Sequence, residues 1–178
     1  MLSVEELIER CLDNDSKAQK ELYRRYSPKM WGVCLRFARN TMIAEDILQE
    51  GFIKVYTKLN QYTHEGSFEG WIRRTMINTA INYYKKNLGV SEKYSYDEVF
   101  IADTVNESAL DNMATKELLE LIQELPVGYR MIFNLHAIEG YTHKEISVKL
   151  NISESTSKSQ LSRARSILRD KIIKKEKR

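Results

Sequence analysis

Helix-start signals recur along this 178-residue chain and constrain its fold more than any other feature. Three segments, beginning at Ser3, Ser16 and Thr142, match the capping box, in which Glu or Gln follows a Ser or Thr by three positions. Apolar residues at helical spacing follow each of them. Ser27-Pro28 predicts a further helix start, because proline is favoured at the first helical position. With only 7 Gly and 2 Pro, and no sustained strand alternation, the chain is predicted to be all-α.

The helical periodicity fades between residues 89 and 111, and this gap divides the chain. Residues 1–90 carry 14 basic and 11 acidic side chains, residues 91–115 carry 1 and 6, and residues 116–178 carry 13 and 8. The overall charge of +3 therefore hides segments of +3, −5 and +5. The sequence predicts two small helical domains, 1–88 and 112–178, joined by a flexible acidic linker at 89–111. Two basic domains favour a polyanionic partner.

Other features of the sequence exclude several classes of protein. No stretch reaches the roughly 18 to 20 apolar residues of a membrane span, and the first residues do not resemble an export signal. A cytoplasmic protein without membrane insertion is therefore expected. Cys11 and Cys34 lack the spacing of a disulfide framework or a zinc site. His64, His136 and His143 also lack ligand spacing, so neither a metal nor another cofactor is expected.

The C-terminal segment predicts a helix-turn-helix, with a tight turn at residues 151–153. The second helix has an inward apolar stripe that includes Leu161 and Ile172. Four polar residues share another side of this helix: Lys158, Ser159, Ser162 and Arg163. Lys and Arg can pair with phosphates or with guanine, and Ser can bond to a base or a phosphate. We expect this face to enter the major groove of DNA.

An acidic face is predicted on the helix that begins near Thr41. Asp46, Gln49 and Glu50 stand at positions i, i+3 and i+4, with Ile53 beside them. The carboxylates lack the surroundings that acid–base catalysis needs. No nucleophile lies nearby in the sequence, and an exposed helix face does not bury a carboxylate. We therefore predict no catalytic residue. The residues leave open whether the face is simply solvated or docks a partner.

A polar stripe is predicted on the helix that begins near Phe68. Arg74, Asn78 and Asn82 recur every fourth residue, and Lys85 follows three positions later. Asparagine is a poor helix former, so two on one face require a reason. Their amides could bind unstacked bases while the basic side chains bind phosphates. Trp71, at the start of the opposite stripe, is expected in the core.

Together these segments resemble the extracytoplasmic-function (ECF) group of bacterial sigma factors in the sigma-70 superfamily. Residues 46–56 resemble the family's region 2.2, and residues 68–83 resemble its regions 2.3 and 2.4. Four short segments between residues 139 and 165 resemble region 4.2. The joint order and spacing of these segments are far more specific than the helix-turn-helix alone.

The resemblance implies a sigma factor that recruits core RNA polymerase to promoters and is not itself an enzyme. The residues expected to bind the clamp helices of the β′ subunit are Asp46, Gln49, Glu50, Phe52 and Ile53. Those expected to contact the minus-10 DNA element are Arg74, Asn78, Asn82 and Lys85, with the two asparagines capturing an extruded base. Those expected to read the minus-35 element are Lys158, Ser159, Ser162 and Arg163. The other face of the C-terminal domain would meet the β flap, and an anti-sigma factor is implied as a further partner.

Two positions depart from the family's pattern. Ser157 stands where Val is usual on the inward stripe, and we expect it to loosen the recognition helix or alter its seating. Gln160 stands where Arg is frequent, which removes one possible phosphate contact.

The sequence leaves two other functions as alternatives. One is a stand-alone helix-turn-helix transcriptional regulator, which needs neither the acidic face nor the asparagine stripe. The other is a nucleic-acid-processing enzyme with Asp46 and Glu50 as metal ligands. That enzyme needs a third convergent acid or histidine, which the sequence does not supply.

Overall fold

The structure, a computed structural model, describes residues 2–91 and 113–176, and all its regular elements in those ranges are helical. The first lobe comprises α1 (Val4–Leu12), α2 (Ser16–Phe37), α3 (Thr41–Thr57), a 3-10 turn (Leu59–Gln61) and α4 (Phe68–Ser91). The second lobe comprises α5 (Met113–Gln123), α6 (Val127–Phe133), a π-helical turn (Asn134–Ile138), α7 (His143–Leu150) and α8 (Glu154–Glu176). The predicted all-α class is confirmed. Most of the predicted acidic linker lies outside the described residues, and α4 continues three residues past the predicted boundary at residue 88.

Two of the three predicted capping boxes form. The side chains of Ser3 and Thr142 each accept a hydrogen bond from the backbone N–H three residues later. In return, the backbone N–H of each donates to the glutamate carboxylate at that later position. The box predicted at Ser16 is wrong, because Asp15 caps α2 instead and accepts from the Lys17 N–H at 2.8 Å. A carboxylate one residue earlier satisfies the same orphan donors and adds a favourable charge at the helix N-terminus.

The helix start predicted at Ser27-Pro28 is also wrong, because α2 runs unbroken through Pro28. Proline inside a helix removes one backbone hydrogen bond and costs about 3 kcal/mol. Tyr26 and Met30 lie on either side of it and are 6 % and 1 % exposed. Burying two large side chains on one stripe stabilises by roughly 1.5 to 3 kcal/mol each, which offsets that cost.

One apolar core links the two lobes. It includes Leu22 and Ile72 from the first lobe and Ile132 and Ile146 from the second, all of them fully buried. Ile172, predicted on the inward stripe of α8, is 40 % exposed, because that stripe outruns the helices that could cover it. None of the helices in the described ranges combines the length and apolar composition needed to cross a membrane.

Candidate nucleic-acid interface

The first candidate surface is the predicted polar stripe on α4. All four of its members are exposed: Arg74, Asn78, Asn82 and Lys85. The opposite side of α4 is buried against α3, where a Cβ on Gly51 would lie 2.2 Å from the Met76 sulfur. A larger residue at position 51 would displace the Met76 side chain, so glycine there lets α3 and α4 pack closely. The structure thus places the two asparagines in one exposed row, one helical turn apart.

An aromatic cluster stands at the start of this stripe. The ring of Trp71 stacks on Phe68 with centroids 5.8 Å apart, and Tyr62 lies 5.7 Å from Trp71. The Tyr62 hydroxyl donates to the Gly66 carbonyl at 2.9 Å, which holds the loop before α4. Trp71 is only partly buried, so it lies at the edge of the core and not fully inside it as expected.

The second lobe reaches across to this stripe. Lys149 of α7 donates from its Nζ to the Asn78 Oδ1 at 3.3 Å, and the same ammonium lies 5.0 Å from the centre of the Tyr141 ring. One of the two asparagines is therefore already engaged by the protein itself in this arrangement.

The second candidate surface is the predicted face on α8. Its members Lys158, Ser159, Ser162 and Arg163 are all exposed. Their contacts stay within the second lobe: Ser159 donates to the Thr156 carbonyl at 3.0 Å, and Arg163 lies 3.5 Å from the Tyr129 hydroxyl. Both bonds are weak or local, so the face is open to solvent and carries two cations.

The two positions that departed from the family's pattern have defined surroundings. Ser157 is fully buried, and its Oγ lies 2.9 Å from Nδ1 of His143. Gln160 is half-buried and lies over Gly128, where a Cβ would come within 3.1 Å of its Oε1. Both side chains therefore pack inside the second lobe.

The predicted acidic face lies on α3. Asp46, Gln49 and Glu50 are exposed, and Ile53 is 62 % exposed. Met42, which sequence reasoning missed, extends the face at 64 % exposure. The face therefore combines carboxylates with two exposed apolar side chains. The Glu50 carboxylate also accepts from Lys54 at 2.6 Å.

Phe52 does not belong to the exposed part of this face. It is 3 % exposed, and its ring packs 4.7 Å from Tyr23 and 6.2 Å from Tyr56. Phe52 therefore lies beneath the exposed face in this structure, and its predicted part in docking stays a prediction.

The C-terminus of α2 is capped by side chains of the second lobe. Gln123 donates to the Leu35 carbonyl at 3.0 Å, Asn134 to the Arg36 carbonyl at 2.9 Å, and Arg130 to the Phe37 carbonyl at 3.1 Å. The last carbonyls of a helix have no partner within it, and a cation there is favoured by the helix dipole. The donors from the second lobe therefore pair carbonyls that have no partner within α2.

Arg130 is the centre of this contact and is 2 % exposed. It also donates to the carbonyls of Gln123 and Leu125 and to the Tyr84 hydroxyl. The guanidinium lies 5.6 Å from the centre of the Tyr84 ring. A buried cation is tolerated here because all three of its nitrogens are hydrogen-bonded.

An ion triad centred on the nearly buried Glu139 lies beside it, and its Arg73 side chain is 39 % exposed. The Glu139 side chain, 6 % exposed, accepts from Arg73 at 2.8 Å through both oxygens and from Arg36 at 3.0 Å. Burial lowers the pKa of Arg36, whereas the hydrogen bond that Arg73 donates to Glu139 raises the pKa of Arg73. Sequence reasoning missed the role of Glu139, because nothing in its local pattern distinguishes it from a solvated acid.

The described residues contain no group of three or more His, Cys, Asp or Glu that could hold a metal ion. Cys11 and Cys34 are both free and buried. Burial raises the pKa of the Cys34 thiol to about 12, so it is unreactive at neutral pH.

Comparison with known proteins follows the same division into two lobes. Residues 22–88 match the family model described as Sigma-70 region 2, and residues 115–168 match Sigma-70, region 4. The ECF RNA polymerase sigma-E factor of Haemophilus influenzae is 27 % identical, and the match covers 96 % of each chain. The RNA polymerase sigma-H factor of Pseudomonas aeruginosa is 27 % identical over 90 % of this chain and 89 % of its own.

A solved structure supports the same fold. It is the sigma factor RpoE in complex with the anti-sigma factor NepR from Bartonella quintana. That sigma factor is 18 % identical, with a TM-score of 0.52 over 85 % of this chain and 94 % of its own.

Proposed function

The chain belongs to the ECF group of the sigma-70 family and functions in promoter-specific transcription initiation, and we propose how its surfaces share that work. The α3 face docks on the core polymerase, the α4 stripe binds the minus-10 element, and the α8 face reads the minus-35 element. The bonds of the transcript are made by the polymerase, and this chain contributes no catalytic residue.

The observation that carries the proposal is the exposed row of Asn78 and Asn82 on a firmly seated helix. An amide offers both a donor and an acceptor, which matches the edge of a base that has left the stack. Arg74 and Lys85, on the same side, supply cations for the flanking phosphates. Extruding a base costs a few kcal/mol, so a preformed row is a better receptor than a flexible loop.

The α8 face suits duplex DNA instead. Lys158 and Arg163 are exposed near the beginning of a helix that follows a tight turn, as in a recognition helix. Arg can read guanine through two hydrogen bonds, and the serines can bond to a base or a phosphate.

On α3, the exposed apolar side chains Met42 and Ile53 alternate with carboxylates. This combination fits a helical partner that offers basic and apolar side chains, which we take to be the β′ clamp helices. The β flap would meet the second lobe away from the α8 face.

The lobes must separate for both DNA elements to be bound at once. The minus-10 and minus-35 positions lie about 25 base pairs apart. This is on the order of 85 Å of duplex at 3.4 Å per step. A compact chain of this length has a radius of gyration of about 16 Å and cannot span that distance. Within the described ranges, Arg36 Nη1 and Asn134 Oδ1 are buried without a hydrogen-bond partner, so the polar groups of the contact between the lobes are not all satisfied.

We further propose an anti-sigma factor as a partner, and the cytoplasm as the place of action. The sigma factor of similar fold binds a protein of that class. A partner that spans both lobes would hold them together and keep Asn78 covered.

Reconstituted transcription tests the function as a whole. We expect purified chain to enable core polymerase to initiate at promoters found by mapping the starts that appear on its overproduction. Asn82→Ala should lower open-complex formation, and the exposed Asn60→Ala should not. Binding of single promoter duplexes without any initiation would instead favour a stand-alone regulator.

Docking is tested separately on α3. The double variant Asp46→Asn with Glu50→Gln should weaken core association by about 1 kcal/mol, or roughly fivefold, because two exposed charges leave the face. Glu9→Gln on α1 is the matched control. Unchanged co-purification of the double variant would remove the docking proposal, and metal-dependent nuclease activity lost with Asp46 would support the enzyme alternative.

A further inference from the structure

A polar cluster lies inside the helix-turn-helix of the second lobe. Ser157 is fully buried near the first turn of α8, and its Oγ lies 2.9 Å from Nδ1 of His143, the first residue of α7. The pair joins the beginnings of the two helices. Apolar packing alone would hold α8 less specifically, because a hydrogen bond fixes both distance and direction.

A second histidine completes the cluster. The ring of His136 stacks on that of His143 with centroids 4.3 Å apart and planes 20° apart. Nδ1 of His136 lies 2.8 Å from the Tyr141 carbonyl, and since a carbonyl only accepts, that nitrogen carries a proton. His136 lies in the π-helical turn that follows α6, a distortion often found at functional sites.

Charged groups surround His143 from the neighbouring elements. Burial lowers its pKa below the usual 6.5, and His136, Lys158 and Arg165 lower it further, while Glu154 acts in the opposite direction. His143 is therefore neutral at neutral pH. In acid, a proton on His143 would place a cation beside Lys158.

We propose that His143 is a positioning residue for minus-35 recognition, holding the recognition helix in register through Ser157, and that this register depends on the charge of His143. The inference rests on the proposed role of the α8 face. Ser157 precedes Lys158 and Ser159 directly, so a shift of Ser157 moves the first two reading residues with it. A buried hydroxyl without a partner is unfavourable by a factor of roughly ten or more, so its loss is not silent.

The expected pH dependence follows from the direction of the shift. The folded chain binds a proton at His143 less readily than the unfolded chain does. Protonation of His143 therefore destabilises the arrangement that lowers its pKa: the register is fully populated above about pH 6.5 and becomes less stable as the pH falls from there toward that lowered pKa. Non-specific attraction to DNA does not weaken in acid, because positive charge is gained. Sequence discrimination and general affinity should thus change in opposite directions.

The test uses the full chain and two readouts. Duplexes are selected from a random library at pH 7.5, and the affinity ratio of selected to scrambled duplex is measured at pH 7.5 and 5.5. Amide signals of residues 158–163 are followed by NMR without DNA over the same pH range. The native chain should lose discrimination about tenfold in acid, and its α8 signals should shift together.

Three variants separate positioning from simple stability. His143→Asn places an amide near the position of Nδ1 but does not titrate, so it should keep discrimination at both pH values. His143→Phe should lose discrimination at both, and adding Ser157→Ala should restore part of it by removing the unpaired hydroxyl. His64→Asn, in the first lobe, is the control and should retain the native pH response.

The outcomes distinguish this inference from the proposed function. If the pH response of α8 persists in His143→Asn, or if His143→Phe discriminates like the native chain, the inference is overturned. If no duplex is selected at any pH while His143→Asn abolishes the NMR response, the proposed function fails and the coupling of His143 to α8 stands.

Discussion

The two candidate DNA-binding faces differ in what surrounds them. The α4 stripe belongs to the first lobe, yet Lys149 of the second lobe bonds to Asn78 within it. The α8 face makes its contacts within its own lobe and carries its cations toward solvent. The first face is therefore gated by the arrangement of the lobes, and the second is not.

This difference suits an ordered mechanism. A free chain could scan duplex DNA with α8 while Asn78 of the proposed base-binding row stays bonded to Lys149, and opening would come only with a partner that separates the lobes. Weak binding of the free chain to minus-10 DNA would then result from the closed arrangement of the lobes and not from unsuitable side chains on α4. Substitutions at the contacts that create this difference test it.

The largest effect is expected at Arg130. Arg130→Ala removes a buried cation that caps α2 and leaves several carbonyls and the Tyr84 hydroxyl without a donor. We expect the free energy of unfolding to fall by about 3 kcal/mol, measured by urea denaturation. Arg169→Ala, which is exposed on α8, should change it by less than about 0.5 kcal/mol. Equal effects of the two variants would contradict the trans-capping of α2.

Glu139→Gln is expected to act mainly on the lobe arrangement. It leaves Arg36 and Arg73 facing each other without a carboxylate, at a cost of about 2 kcal/mol to the closed form. Fluorescence energy transfer between labels on the two lobes should report the opening. Binding of single-stranded minus-10 DNA should increase, while binding of minus-35 duplex stays unchanged. A parallel change in both would show that the two faces are not gated differently.

Arg163→Ala tests the α8 face, which the second lobe leaves open to solvent. If Arg163 reads a base, minus-35 affinity should fall by about 1 to 3 kcal/mol with relaxed preference at one position. Minus-10 binding and the lobe arrangement should not change. Competition binding with single-base variants of the element makes the measurement, and Arg169→Ala again serves as the control. A uniform loss across all sequences would reassign Arg163 to a phosphate.

The residues on exposed helical faces were predictable because helical spacing alone decides which side chains share a side. Asn78 with Asn82, and Lys158 with Arg163, needed only that periodicity. Phe52 was assigned to the docking set by the family resemblance and not by helical spacing, and the structure buries it to 3 % exposure. Its ring fills space between Tyr23 and Tyr56, which only the packed helices reveal.

The contacts between the lobes could not be predicted in this way. Gln123, Arg130 and Asn134 bond to carbonyls that are 88 to 98 residues away in the chain, and any polar side chain can cap a helix end. Ser157 was recognised as unusual, but its partner His143 was not found, because a hydrogen bond between two helix starts leaves no periodic signal. Asp15 displaced Ser16 as a cap by a single residue.

The smallest effect is expected at Lys149. Its substitution tests the contact between the lobes at Asn78 by itself. Lys149→Gln removes the ammonium that bonds to Asn78 at 3.3 Å, and since the bond is exposed, we expect less than about 0.5 kcal/mol in stability. Single-stranded minus-10 DNA should then bind up to about twofold more tightly at low salt, because the competitor for Asn78 is gone. The neighbouring Lys144→Gln, also exposed on α7, removes the same charge without touching Asn78 and separates competition from general electrostatics. If both variants weaken DNA binding equally, Lys149 attracts the strand and does not compete with it, and the α4 stripe is as open as the α8 face.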